Sequence, residues 1–104
     1  MISEMKGDDI ADRLEALGAN VVSVVRALPK DRAAKLIADQ LLRSATAGGS
    51  NYEEARSAQS RRDFVHKVSL AAKEMREALY WLGVASRTSR ETGAGALESR
   101  HRGQ

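Results

Sequence analysis

A chain of 104 residues has room for one compact domain and not for two. One Phe, one Trp, two Tyr and one Pro stand in a background of Ala, Leu, Val, Arg and Glu, the composition of a helical protein, and the absence of Cys excludes a disulfide framework, a thiolate metal site and a cysteine nucleophile together. The formal net charge of +3 hides an asymmetry, because residues 1–29 carry three basic against five acidic groups, whereas residues 30–104 carry fourteen against nine.

The basic surface therefore belongs to the middle and end of the chain, which makes an anionic partner plausible. The opening "MISEMKGDD" carries acid where a secretory signal needs a basic start, and no apolar run approaches the ~20 residues of a membrane span. A cytoplasmic protein away from membranes is the expectation. Folding at this length buries only ~60–65 % of the unfolded chain's surface, so a small helical domain gains by oligomerising.

In chain order, residues 1–7 read as a flexible N-terminus. Ile10, Leu14, Leu17, Val21, Val24, Val25 and Leu28 then recur at three- and four-residue steps, one apolar stripe on a helix from about Asp8 to Leu28. Asp8, Asp9 and Asp12 sit in its first turn, where carboxylates complement the positive end of the helix dipole, and Pro29 ends it. Asp31 is the candidate N-cap of a second helix, whose stripe is Ala34, Ile37, Leu41 and Ala45, widened by Ala38 and Leu42.

A third helix opens at Ser60, with Asp63 three residues on in a capping-box-like arrangement. Phe64, Val65, Val68, Ala71, Ala72, Met75, Leu79, Leu82 and Ala85 form its apolar stripe, broadened by Leu70, Ala78, Trp81 and Val84. From Arg61 to Ser86 such a helix is about 39 Å long at 1.5 Å per residue, so it needs an equally long partner. A second helix stopping at Ala47 would span only about 25 Å. Continued through Gly48 and Gly49 to about Arg56, it matches the third and forms an antiparallel hairpin turning at "SAQS". Each glycine costs about 1 kcal/mol relative to Ala in a helix interior, and close helix–helix approach is the compensation expected. A plain Gly-Gly loop dividing two shorter helices is the alternative. The expected organisation is an all-α antiparallel up-and-down bundle over residues 8–86, with residues 87–104 a basic, weakly helical or disordered tail holding one large aliphatic residue, Leu97.

Most catalytic constellations fail on inventory, and an enzyme is not expected. His66 and His101 have neither the paired Glu-x-x-His spacing of a helical di-metal site nor the His-x-x-x-His spacing of a zinc protease. Gly48–Gly49 lacks the Gly-Lys-Ser/Thr of a phosphate loop, and Ser3-x-x-Lys6 matches a nucleophile motif in letters only. No catalytic residue, metal ligand or cofactor is assigned. In a hairpin turning near residue 58, Arg43 faces Glu74 and Asn51 comes near His66 and Lys67. Arg43, Asn51, Glu54, Glu74 and Glu77 form the expected polar seam, which sets register by charge, and an Arg43–Glu74 ion pair is its centre. The cations Arg56, Arg61, Arg62, Lys67, Lys73 and Arg76 crowd the start and exposed face of the third helix and form the candidate nucleic-acid-binding group. Phe64 and Trp81 fit the core, leaving Tyr52 and Tyr80, so backbone-level contact with RNA or DNA is expected rather than sequence-specific single-strand recognition. The alternative is a structural or protein-binding adaptor that docks a partner helix in an open groove.

Residues 39–84, "DQLLRSATAGGSNYEEARSAQSRRDFVHKVSLAAKEMREALYWLGV", resemble the four-helix-bundle family encoded by intervening sequences in bacterial 23S ribosomal RNA genes. The resemblance rests on Gln40 to Thr46, Asn51-Tyr52 with Glu54-Ala55, Ser60 with Asp63-Phe64, Lys73-Glu74 with Glu77, and Tyr80-Trp81-Leu82. It implies a ring-like homopentamer of antiparallel bundles and a helix running through Gly48–Ser50. It also implies kinship with the accessory variability proteins of diversity-generating retroelements, which bind nucleic acid and a reverse transcriptase. Two departures stand out. Ala47-Gly48-Gly49-Ser50 replaces the usual Ser-Ile-Gly-Ala, and the family's fourth helix is not readable in residues 87–104. Either that tail folds weakly on the bundle, or a neighbouring subunit covers the groove, or the chain is a shortened member.

Overall fold

The computed structural model describes the backbone of residues 2–102 and the side chains of residues 7–88. Three helices follow one another, α1 (Ile2–Ala27), α2 (Arg32–Arg56) and α3 (Arg61–Arg102), with no strand among the described residues. The fold is all-α. Each boundary has a local cause. Pro29 cannot continue α1, whose last turn tightens as the Leu28 amide donates to Val25 O over 3.2 Å. The Asp31 carboxylate accepts from the Ala34 amide at 3.0 Å and caps α2. Ser60 Oγ accepts from the Asp63 amide at 3.0 Å and caps α3, while the Asp63 carboxylate turns to Lys67, 3.4 Å away; only half of a capping box forms.

α2 runs without interruption through Gly48 and Gly49. No glycine has positive φ among the described residues, so conformational freedom is not what this pair supplies. Space is. A Cβ on Gly48 would lie 2.9 Å from Met75 Cγ and closer still to its sulfur, so an alanine here forces the Met75 side chain to move, while the α3 backbone at Ala71 O, 3.6 Å away, would be in ordinary contact. A Cβ on Gly49 would meet Leu14 Cβ of α1 at 3.7 Å, an ordinary contact. One glycine leaves room for the Met75 side chain, and its neighbour meets only ordinary contacts.

The α2–α3 seam is built from small side chains: Ser44, Ala45, Gly48 and Ala55 are buried on α2, and Ala71, Ala78 and Ala85 repeat every seven residues on α3. Small residues hold two helices near the lower end of the usual ~8–10 Å separation. Ser44, wholly buried, satisfies its hydroxyl within its own helix by donating to Gln40 O at 2.8 Å. Where the three helices converge, Val21, Leu41, Ala45 and Ala78 form the core, and Leu17, Val25, Leu42, Trp81 and Leu82 pack around them.

α2 packs against both neighbours, but among the described residues α1 and α3 do not approach within 8 Å between Cα atoms. The result is an open layer with extents of 65 × 25 × 17 Å and a radius of gyration of 18.0 Å, against ~13 Å for a compact chain of this length. Because α1 and α3 stay apart, Phe64, expected in the core, is exposed instead, and so are Val65 and Leu79 of the same stripe. α1 begins at Ile2, ahead of the boundary expected at Asp8, and the α3 backbone passes Ser86 to Arg102, where the sequence stripe had ended. The side chains expected to form the flexible N-terminus, up to residue 6, and those expected to make the tail basic, from residue 89 on, lie outside the described residues.

Candidate functional site

Two polar constellations lie on the α2–α3 hairpin. The first is centred on Arg43. Its Nη1 donates to Glu74 Oε2 at 2.8 Å, its Nη2 is paired with Glu77 Oε2, and its Nε reaches Gln40 Oε1 at 3.4 Å. The Glu74 side chain is the more covered of the two acids, at 17 % exposure. Glu77 also accepts from Trp81 Nε1 at 3.4 Å, which ties an aromatic side chain of the core to the same network. The polar seam is therefore a fork of one guanidinium over two carboxylates one helical turn apart. Asn51 and Glu54 belong to α2 but do not join it; Asn51 is half-buried and Glu54 exposed. This network joins α2 to α3 by charge.

The second constellation is the set of cations, which the structure divides. Arg56 is held by carboxylates: Nη2 is paired with Asp8 of α1 and Nη1 lies 3.2 Å from Glu53. The hydrogen bond to Asp8, helped by the charges of Asp8 and Glu53, raises its pKa above the ordinary arginine value. Lys67 is paired with Asp63. These two cations have carboxylate partners. Arg61, Arg62, Lys73 and Arg76 are exposed, and no ion pair or hydrogen bond engages them among the described residues. Helical spacing sets Arg62, Lys73 and Arg76 in one row along α3, away from the buried Ala71, Ala78 and Ala85. His66 is exposed in that row.

The six cations are legible in the sequence as a group; the pairing of Lys67 with Asp63 is local, four residues along one helix, whereas that of Arg56 draws on Asp8, which is 48 residues away along the chain. Tyr80 is one of the two aromatic residues outside the expected core. It is 62 % exposed and sits four residues after Arg76 in the same row, a position that spacing alone could have flagged. Among the described residues, no group of three or more His, Cys, Asp or Glu is arranged to hold a metal ion. No described helix is long and apolar enough to cross a membrane.

An open, all-α antiparallel bundle with a carboxylate-locked hairpin and an unpaired row of cations is the class of protein these features define. The 23S rRNA-intervening sequence protein family matches residues 8–92, and the chain belongs to that family. Among solved structures, a protein of unknown function from the S23 ribosomal protein family of Bacteroides thetaiotaomicron VPI-5482 superposes with a TM-score of 0.73 at 35 % identity, over 80 % of this chain and 74 % of that one. No curated protein matches the chain.

Proposed function

We propose that this is a non-enzymatic, cytoplasmic accessory protein that self-associates and binds RNA or DNA through backbone phosphates. The observation that carries the reading is the division of the cations. Two of the six are neutralised within the fold, whereas Arg61, Arg62, Lys73 and Arg76 are left to solvent on α3. A row of unneutralised cations on a rigid helix is the footprint of phosphate binding. Self-association into a pentameric ring, and a place beside a reverse transcriptase or another protein, are proposed from family resemblance.

Fluorescence anisotropy with a labelled structured RNA and a DNA duplex, from about 50 mM to about 200 mM salt, tests the first part. Micromolar or tighter binding that falls linearly on a log–log salt plot is expected. Replacing Arg61, Arg62, Lys73 and Arg76 by Gln should abolish binding, whereas Lys67→Gln should leave it near the wild-type value. Absence of binding at the lowest salt sinks the reading. Native mass spectrometry decides the assembly, and a monomer at micromolar concentration would remove the ring.

A second reading has its own observation. Ile10 and Val24 of α1, and Val65 and Leu79 of α3, are exposed on helices that flank α2 and whose Cα atoms, among the described residues, stay more than 8 Å apart. Apolar surface of this kind fits an adaptor that docks a partner helix, and such docking hardly responds to salt.

A further inference from the structure

The row of cations on α3 contains one aromatic ring. Arg62, His66, Ser69, Lys73, Arg76, Tyr80 and Arg87 succeed one another at three-, four- and seven-residue steps, so they share one face over about 38 Å of helix at 1.5 Å per residue. Tyr80 stands about 6 Å along the axis from Arg76 and about 10 Å from Lys73 and from Arg87. Single exposed tyrosines are common and need no explanation. This one differs in being flanked on both sides by cations that no ion pair engages among the described residues, and in being held.

The Tyr80 and Trp81 rings meet edge to face, with centroids 4.9 Å apart and planes at 78°. Trp81 in turn packs on the core and donates its Nε1 to Glu77, which Arg43 clamps. A T-shaped contact covers at most one face of the tyrosine, and with 62 % of the residue in solvent the other face stays open. The arrangement is an oriented aromatic surface inside a phosphate-binding row. In a duplex the bases are stacked within the helix and offer such a ring no free face; unpaired bases do.

We propose that Tyr80 is a base-stacking residue, and that the α3 face takes single-stranded nucleic acid or unpaired bases in preference to a continuous duplex. This rests on the nucleic-acid reading above and narrows it. Phosphates on either side of the stacked base would lie against Arg76 and Lys73 in one direction and Arg87 in the other. Stacking of this type tolerates any base, so the preference is for strandedness and not for sequence.

The test is anisotropy at about 50 mM salt with a labelled oligo-dT single strand, an oligo-U single strand and a duplex of equal length. The proteins are the wild type, Tyr80→Ala, Tyr80→Phe and the double variant Lys73→Gln/Arg76→Gln. Wild type should bind both single strands more tightly than the duplex. Tyr80→Ala should weaken single-strand binding by about five- to a hundredfold, leaving the duplex affinity and the salt slope unchanged, while Tyr80→Phe retains wild-type affinity. The double variant should weaken every ligand and flatten the salt dependence. Single-strand affinity unmoved by Tyr80→Ala, or a preference for duplex, overturns the stacking role while phosphate binding stands. Failure of the wild type to bind any of the three overturns both. The exposure of Tyr80 makes its variants safe for folding, and circular dichroism checks that each keeps the wild-type helix content.

Discussion

α2 has two neighbours and packs against them by different means. Toward α3 it presents buried Ser44, Gly48 and Ala55, with Arg43 forked over Glu74 and Glu77. Toward α1 the packing is looser. A Cβ added at Gly49 or at Gly18 would meet Leu14 or Thr46 only at ordinary contact distances, and beside them runs an open groove whose lining includes Ala11, Ala19, Val22 and Ser50. Val21 is the one buried hydrophobic among the described residues of α1, and Asp8 to Arg56 is its ion pair with α2. The hairpin of α2 and α3 is thus the structural unit, locked in register by charge and by glycine-permitted closeness, and α1 is a helix laid against it. That asymmetry has a functional side, since the cation row and Tyr80 ride on the better-fixed half.

The contrast makes graded demands on stability, read as denaturant midpoints in urea. Leu41 is fully buried where all three helices meet, so Leu41→Ala weakens both seams and should cost about 2–4 kcal/mol. A loss under 1 kcal/mol would mean that the helices do not share one core. Next come the paired glycines. Gly48→Ala drives a methyl group into Met75, and overpacking of about 1–3 kcal/mol outweighs the gain of about 1 kcal/mol in helix propensity. Gly49→Ala meets only ordinary contacts and should stabilise by up to about 1 kcal/mol. Equal effects at the two positions would contradict the difference in closeness of the two seams.

Smaller still is the charge lock. Arg43 is nearly half exposed, which screens the pair, so a double-mutant cycle of Arg43→Ala with Glu74→Ala should give a coupling of about 0.5–1 kcal/mol. A coupling of zero would leave register to packing alone. The smallest effect belongs to Arg56→Gln, which breaks the exposed link to Asp8 and should leave the midpoint unmoved within error. A clear loss there would show that α1 is held more firmly than its packing indicates.

Much of this was legible in the residues, for reasons that can be named. The three helices followed from a 3.6-residue apolar period, and the starts of α2 and α3 from Asp31 and Ser60, because a cap is a contact between residues three apart. The unbroken α2 agrees with the expectation from helix lengths, although α3, at 42 residues against 25, is not the equal partner that expectation assumed. The Arg43–Glu74 contact followed from hairpin register once the turn was located. In the candidate site, the cations could be read as a group, but not which of them the fold neutralises.

The chain's own pattern was therefore sufficient for helix number, helix limits at α2, the antiparallel hairpin and the family, since each depends on spacing within one or two adjacent elements. Spacing is silent on how far α1 stands from α3. A broad stripe of Phe64, Val65, Val68, Ala71, Ala78, Leu79 and Leu82 looks equally buried along its width, yet α2 covers Ala71 and Ala78 while Phe64, Val65 and Leu79 face solvent. Which edge of an amphipathic face is covered depends on where a third helix docks, and the pairing of Arg56 depends on Asp8, a carboxylate brought from a distant segment. Both are set by packing between elements far apart in the chain, and so they became visible only once the helices were placed together.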